Sequence, residues 1–416
     1  MGRVTDMPPF MKALGHRNYR IFFCGVVVSQ TGVWMQTIAM SWLTYRLTGS
    51  VFMLGLVGFA SQIPVLFLAP IGGLLADRFN RRKLIMATQS VALCQAATLA
   101  TLTLGGWIEP WHLVALSLLL GTIYAVDTPV RQSMAIRVID DPRDLGNAIT
   151  WNGLSFNLSR LVGPAIGGLV VAAYGEGVSF LLNVVTYAIA IGFMRSMRLK
   201  DAPARPSMGG GLAAGFRYAF GTPVMRIMML MTSAIALGTL PYTVLLPYFA
   251  KNVFGGDADT LGLLTSAMSV GGISAALYAL SRRTVPRVPR VVSNWAIILG
   301  VALLILPHMP SLGLAMVPIA FVGAGIFLIG NGTTTMVQTL VPDEVRGRMI
   351  SIFTMGWFGL VPVGSFIAGV LADRIGPEHV VGLCGVVSVV CGILYRRAFP
   401  VFRQVFKEAG LDGPPR

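Results

Sequence analysis

The chain has 416 residues, of which 55% are hydrophobic and 12% charged, with a mean hydropathy of +0.72. A soluble domain cannot hide that much apolar surface, so lipid must solvate much of it. The net charge of +15 would suit nucleic acid, but the cations fall in small groups between apolar runs rather than on one soluble face, which argues against that partner.

A crossing needs about 20 apolar residues, and the pattern predicts an all-α integral membrane protein with twelve of them. They run roughly over 18–46, 52–76, 84–105, 111–138, 145–174, 177–198, 223–252, 259–281, 288–308, 311–340, 346–374 and 378–400. The first apolar run is longer than a signal-peptide core and lacks a small-x-small cleavage site, so no cleavable leader is expected. An even number of crossings puts both termini on one side. On that side fall 28 of the 32 Lys and Arg residues, which predicts cytoplasmic termini, in a bacterial inner membrane. The break from Arg198 to Thr222 holds Pro203, Pro206 and Gly209-Gly210-Gly211 and reads as a cytoplasmic linker. The partition is therefore 1–198 as a first six-helix half, 199–222 as linker, 223–400 as a second half and 401–416 as a cytoplasmic tail.

The halves echo each other. At a shift of 201, Gly146, Gly163, Gly168 and Gly175 fall on Gly347, Gly364, Gly369 and Gly376; at 206, Arg20 and Gly32 fall on Arg226 and Gly238. The pattern suggests two pseudo-symmetric repeats.

Between the second and third apolar runs stands Gly73-Leu74-Leu75-Ala76-Asp77-Arg78-Phe79-Asn80-Arg81-Arg82-Lys83. This spacing resembles the loop signature of major facilitator superfamily transporters. Asn80 replaces the usual second glycine and still tolerates left-handed backbone, so the turn is expected to survive. Further stretches narrow the resemblance: Arg17-Asn18-Tyr19-Arg20, Gly32 with Trp34 and Gln36, Asp127-Thr128-Pro129 with Arg131-Gln132, Asn157 with Arg160 and Gly163-Pro164, and Val341-Pro342-Asp343-Glu344 with Arg346-Gly347-Arg348. Together they are similar to the enterobactin-exporter-like branch of that superfamily. The resemblance implies the superfamily fold and proton-driven export of siderophore- or drug-like compounds.

Four features carry candidate chemistry. Gly73, Asp77, Arg78, Arg81 and Arg82 read as a cytoplasmic latch, or as a topogenic loop; a lone Asp adds nothing to topology, which favours the latch. Arg160 lies about fifteen residues into the fifth run, where a cation costs roughly 2.5–3.5 kcal/mol on insertion scales; it either meets a substrate anion or a carboxylate, or belongs to a structural ion pair. Asp127 and Arg131 stand at i,i+4 with Pro129 between them; they read as a proton carrier with its partner, or as a structural pair. Gly163, Pro164, Gly167 and Gly168 permit close helix approach with a proline kink, either as the leak-proof contact of exporters or as ordinary packing.

If the superfamily architecture applies, Gln30, Trp34, Gln36, Thr37, Tyr124, Thr239, Tyr242, Asn331, Thr334 and Gln338 line a substrate cavity. No phosphate-cradling motif is present, and His16, His112, His308 and His379 have no ligand spacing, so neither enzyme, metal nor cofactor is expected. Cys24, Cys94, Cys384 and Cys391 sit in apolar runs as small hydrophobes. The expected partners are a small-molecule substrate, protons and the bilayer, and nothing demands more than a monomer. The reading is an alternating-access exporter of small amphipathic molecules; the alternatives are a proton-linked importer of a small polar metabolite and a non-transporting receptor or scaffold.

Overall fold

The computed structural model describes residues 11–139, 144–197, 212–281 and 287–408. Twelve of its helices are long and apolar enough to cross a membrane, and they coincide with the twelve runs expected from hydropathy. In lipid a backbone has no water to bond, so helices that satisfy their own N–H and C=O groups are the solution open to it.

The chain divides into two units. The first holds Met1–Gly49, Ala60–Ser207 and Gly256–Ser266. A short helix α1 (Lys12–Gly15) leads into α2 (Arg17–Thr48), followed by α3 (Val51–Arg78), α4 (Arg81–Leu104), α5 (Pro110–Arg137), α6 (Leu145–Tyr174) and α7 (Glu176–Ser196). Within it α2 packs on α6 and α7, and α4 on α5 and α7. Tyr19, Phe22, Ile85, Met134 and Met194 form an apolar cluster near one end.

The second unit holds Ser50–Phe59, Met208–Gly255 and Ala267–Arg416. Besides the first part of α3, it holds α8 (Leu212–Gly221), so the second part of the segment read as linker is helical; residues 198–211 lie outside the described set. Then come α9 (Pro223–Gly238), a 3₁₀ turn (Leu240–Leu245), α10 (Leu246–Tyr248) and a π-turn (Phe249–Val253). The remaining helices are α11 (Ala258–Ser281), α12 (Val288–Ile305), α13 (Leu312–Leu340), α14 (Asp343–Gly359), α15 (Val361–Ile375), α16 (Pro377–Arg397) and α17 (Phe399–Glu408). In the segment read as a tail, α17 buries Phe402 and Phe406, and Phe402 packs against Tyr395 with ring centroids 5.0 Å apart.

The seventh crossing differs from its counterpart in the first unit. Where α2 runs unbroken for 32 residues, the seventh leaves α-geometry after Gly238. Pro241 and Pro247 each remove a backbone donor, and a 3₁₀ turn and a π-turn take up the mismatch. The eleventh crossing is likewise interrupted at Leu360, just before Pro362. By contrast Pro164 sits inside a continuous α6.

The internal repeat is visible in packing. A methyl group on Gly163 would press on Trp34 and the Thr31 carbonyl of α2; one on Gly364 would overlap the Leu237 carbonyl of α9. Thr31 and Leu237 are themselves 206 residues apart, the shift found in the sequence. Gly175 and Gly376 both end their helices at positive φ, +82° and +90°, a backbone that favours glycine. Gly168 packs against Gly262 within the first unit, and Gly369 against Gly55 within the second.

Gly364→Ala is expected to lower the detergent melting temperature, through an overpacking cost of about 1–3 kcal/mol. Gly382→Ala, where a methyl group would meet nothing within 4 Å, serves as the control and is expected to melt like wild type.

Candidate functional site

The candidate site is built on the interior faces of α2, α4, α5 and α7, all in the first unit. Asp127 is 2% exposed, one turn before Arg131 on α5, and Arg131 Nε donates to its carboxylate. The remaining lone pairs are met from α4: the Thr88 hydroxyl donates at 2.6 Å and Gln89 Nε2 at 3.2 Å. Arg131 Nη1 donates across to the Ser29 hydroxyl of α2 at 3.1 Å. A buried ion pair is tolerable only when its spare valences are also hydrogen-bonded, and two neighbouring helices, α4 and α2, supply those bonds. Beside the pair, Ser29, Gln89 and Arg131 border a cavity with room for about one water molecule.

Further along the same bundle lies a layer of buried amides. Asn183 Nδ2 donates to Gln36 Oε1 at 2.7 Å, Gln36 Nε2 to Gln95 Oε1 at 3.0 Å, and Gln95 Nε2 to the Leu116 carbonyl at 3.2 Å. The Thr186 hydroxyl donates to Asn183 Oδ1 at 2.8 Å. Gly32 leaves the space that Asn183 and Thr186 occupy. Between this layer and Asp127 stand the phenols of Tyr124 and Tyr187.

Arg160 meets an aromatic partner: its guanidinium lies 5.6 Å from the ring centroid of Trp34, and Phe156 meets the same ring edge-on at 6.1 Å. A cation–π contact is one way to hold an arginine in a bundle. Gly163 and Gly167 bring α6 against Thr31, Trp34 and Met35, so the small-residue motif carries this pairing.

At the loop over residues 73–83, Arg82 Nη2 donates to the Arg195 carbonyl at 2.6 Å, placing a cation at the C-terminal end of α7, where the helix dipole favours it. Arg78 is exposed and Arg81 half-buried; the side chain of Asp77 lies outside the described set. Asn80 corrects an expectation. Its backbone is extended (φ −63°, ψ 113°) rather than left-handed, and its side chain caps α4 by accepting from the Arg82 and Lys83 amides. An amide oxygen that caps a helix is a sufficient reason for Asn here. The tight glycine is Gly72, where a methyl group would overlap the Ala125 carbonyl; Gly73 faces open space.

The residues expected along a cavity separate into two sets. Gln36, Thr239 and Tyr242 are buried within their own units: Thr239 donates to the Cys384 carbonyl at 3.3 Å and Tyr242 to the Met268 sulfur at 2.8 Å. Thr37, Asn331 and Gln338 are exposed, and Gln30, Trp34, Tyr124 and Thr334 partly so. Among the described residues, two further contacts to carboxylates were not foreseen. Arg46 forks onto buried Glu176 at 2.7 and 3.1 Å, joining the end of α2 to the start of α7. His16 meets Asp144 at 2.9 Å, ahead of α2 and α6.

Among known proteins, a family model described as transmembrane secretion effector matches residues 9–409. The staphyloferrin A transporter of Staphylococcus aureus is 26% identical over 385 residues, covering 89% of this chain and 94% of that one. The multidrug efflux pump Tap of Mycobacterium tuberculosis is 27% identical over 413 residues, covering 93% and 95%. Among solved structures, a variant of the nucleoside transporter NupG superposes with a TM-score of 0.73 at 16% identity, covering 92% of this chain and 100% of that one.

Asn183→Ala removes the donor to Gln36 and is expected to cost about 1–3 kcal/mol, the penalty of a buried group left unpaired. The double variant with Gln36→Leu is expected to lose less than the sum of the two single changes, read from thermal unfolding in detergent as a double-mutant cycle.

Proposed function

This chain belongs to the transmembrane secretion effector family of the major facilitator superfamily, and from that premise we propose that it exports small amphipathic molecules of the siderophore or drug class in exchange for protons. Export proceeds by alternating access across a bacterial cytoplasmic membrane, with both termini in the cytoplasm. The two relatives, a staphyloferrin A transporter and a multidrug efflux pump, support the substrate class. Efflux in one of them supports the direction.

The observation that carries the coupling is the buried Asp127–Arg131 pair. A proton and the Arg131 guanidinium compete for the same carboxylate. When Asp127 is ionised it holds Arg131 and draws in the Thr88 hydroxyl. Protonation cancels the charge, and Arg131 is left with the neutral hydroxyl of Ser29. Two charge states thus favour two arrangements of α2, α4 and α5, which is the requirement for a ligand to shift a conformational equilibrium. Arg160 over Trp34, with Phe156 beside it, is the proposed contact for the aromatic or anionic part of a substrate. Gln30, Thr37, Asn331, Thr334 and Gln338 are further substrate-contact candidates. The loop of Gly73, Asp77, Arg78, Arg81 and Arg82 is the proposed latch, and the bond from Arg82 to the end of α7 gives it a fixed anchor.

In cells lacking other exporters, expression is expected to lower ethidium accumulation, and an uncoupler to abolish the effect. Asp127→Asn is expected to reduce proton-driven efflux at least tenfold at wild-type membrane abundance. Asp127→Asn with unaltered proton-dependent efflux would contradict the coupling role. Asp77→Asn is expected to slow efflux without loss of insertion, and a normal rate in a well-expressed variant removes the latch.

A further inference from the structure

The Asp127–Arg131 pair does not account for all the buried polarity around it. Gln89 Oε1 and the hydroxyls of Tyr124 and Tyr187 are buried in the same bundle without a well-formed hydrogen bond. Tyr124 stands one turn before Asp127 on α5, and Tyr187 meets it from α7. The two hydroxyls lie within reach of each other, beside the Asp127–Arg131 pair. Packing alone would be served as well by phenylalanine, which avoids the cost of desolvating a hydroxyl.

The order along the helices gives the cluster a direction. On α5, Tyr124 precedes Asp127 and Arg131 follows it. On α7, Tyr187 precedes Ala190 and Met194, which border the water-sized cavity with Ser29, Gln89 and Arg131. The carboxylate therefore has phenols on one side and room for a water on the other. On its own helix Asp127 faces Arg131 and Tyr124; from α7 it senses Tyr187; from α4 it receives the neutral Thr88 and Gln89; and α2 contributes Ser29, through Arg131.

We propose that Tyr124 and Tyr187 are relay groups of a proton route internal to the first unit, running from the cavity through Asp127 to the phenol pair. The inference rests on reading Asp127 as the coupling carboxyl. In the outgoing step the O–H bond of protonated Asp127 breaks as its proton passes to the Tyr124 oxygen. The original Tyr124 proton passes to the Tyr187 oxygen, and the Tyr187 proton to a water molecule admitted beside that phenol when the helices rearrange. Each phenol gains one O–H bond as it loses one. Asp127 is left as the carboxylate that Arg131 holds, and the water becomes hydronium. Rotation of the two hydroxyls about their C–O bonds resets the route.

The test uses the full-length protein in liposomes with ethidium as probe. Tyr124→Phe, Tyr187→Phe and the double variant are compared with wild type and with Asp127→Asn. The double variant is expected to bind ethidium and to melt as wild type does. Its exchange driven by a pH gradient is expected to fall at least tenfold, with a displaced pH profile. A wild-type rate and pH profile in the double variant, alongside a dead Asp127→Asn, overturns the relay and leaves the coupling reading standing. Proton-driven exchange surviving in Asp127→Asn overturns the coupling reading and the relay with it. Should the double variant fail to fold, 3-fluorotyrosine at position 187 keeps the hydroxyl while changing its acidity. A displaced pH profile is then expected, and an unchanged one overturns the proposal.

Discussion

Inside lipid there is no water to complete a hydrogen bond, so a polar group on a crossing helix is costly unless it finds a partner on its own helix or on a neighbouring one. Asp127 is the strictest case, a carboxylate 2% exposed within a crossing segment. Its needs pull in Arg131 from the same helix and Thr88 and Gln89 from α4, and through Arg131 the hydroxyl of Ser29 on α2. Desolvating two charges costs more than such a pair commonly returns in stability. In the proposed function the pair serves as a two-state element rather than a fastening, because changing one proton changes which bonds the surrounding helices can make.

The same rule organises the layer beyond it. Gln36, Gln95 and Asn183 satisfy one another as neutral amides, so they align α2, α4 and α7 without holding charge. The second unit answers the rule differently. Among its described residues, buried hydroxyls bond carbonyls or methionine sulfurs, as Ser388 does Ala296 and Tyr242 does Met268. Its departures from regularity are backbone breaks at Gly238 and Leu360. The two units thus differ in structure: the buried Asp127–Arg131 pair lies in the first, and the interrupted crossings lie in the second.

Much of this was legible in the sequence. The twelve apolar runs set the crossings, and glycines at constant shifts announced the repeat that Gly163 on Thr31 and Gly364 on Leu237 display. Asp127 with Arg131 was legible because i,i+4 spacing is local. Thr88, Gln89 and Ser29 were not, since a hydrogen bond between helices leaves no periodic trace. The breaks in the seventh crossing had a signal in Pro241 and Pro247, six residues apart, which the continuous hydropathy concealed. Gln36, Thr239 and Tyr242 were expected along a cavity because they are polar in an apolar run. The structure turns them inward, and composition does not distinguish those two reasons for polarity. Arg46 and Glu176, 130 residues apart, were beyond any local reading.

The most direct measurement of the central claim is the proton released when ethidium binds to the detergent-solubilised protein, followed with a pH indicator in weak buffer. The account predicts a release that tracks occupancy in wild type and is absent from Asp127→Asn at saturating ethidium. The same release from both proteins would contradict it, by showing that the exchanging proton resides elsewhere.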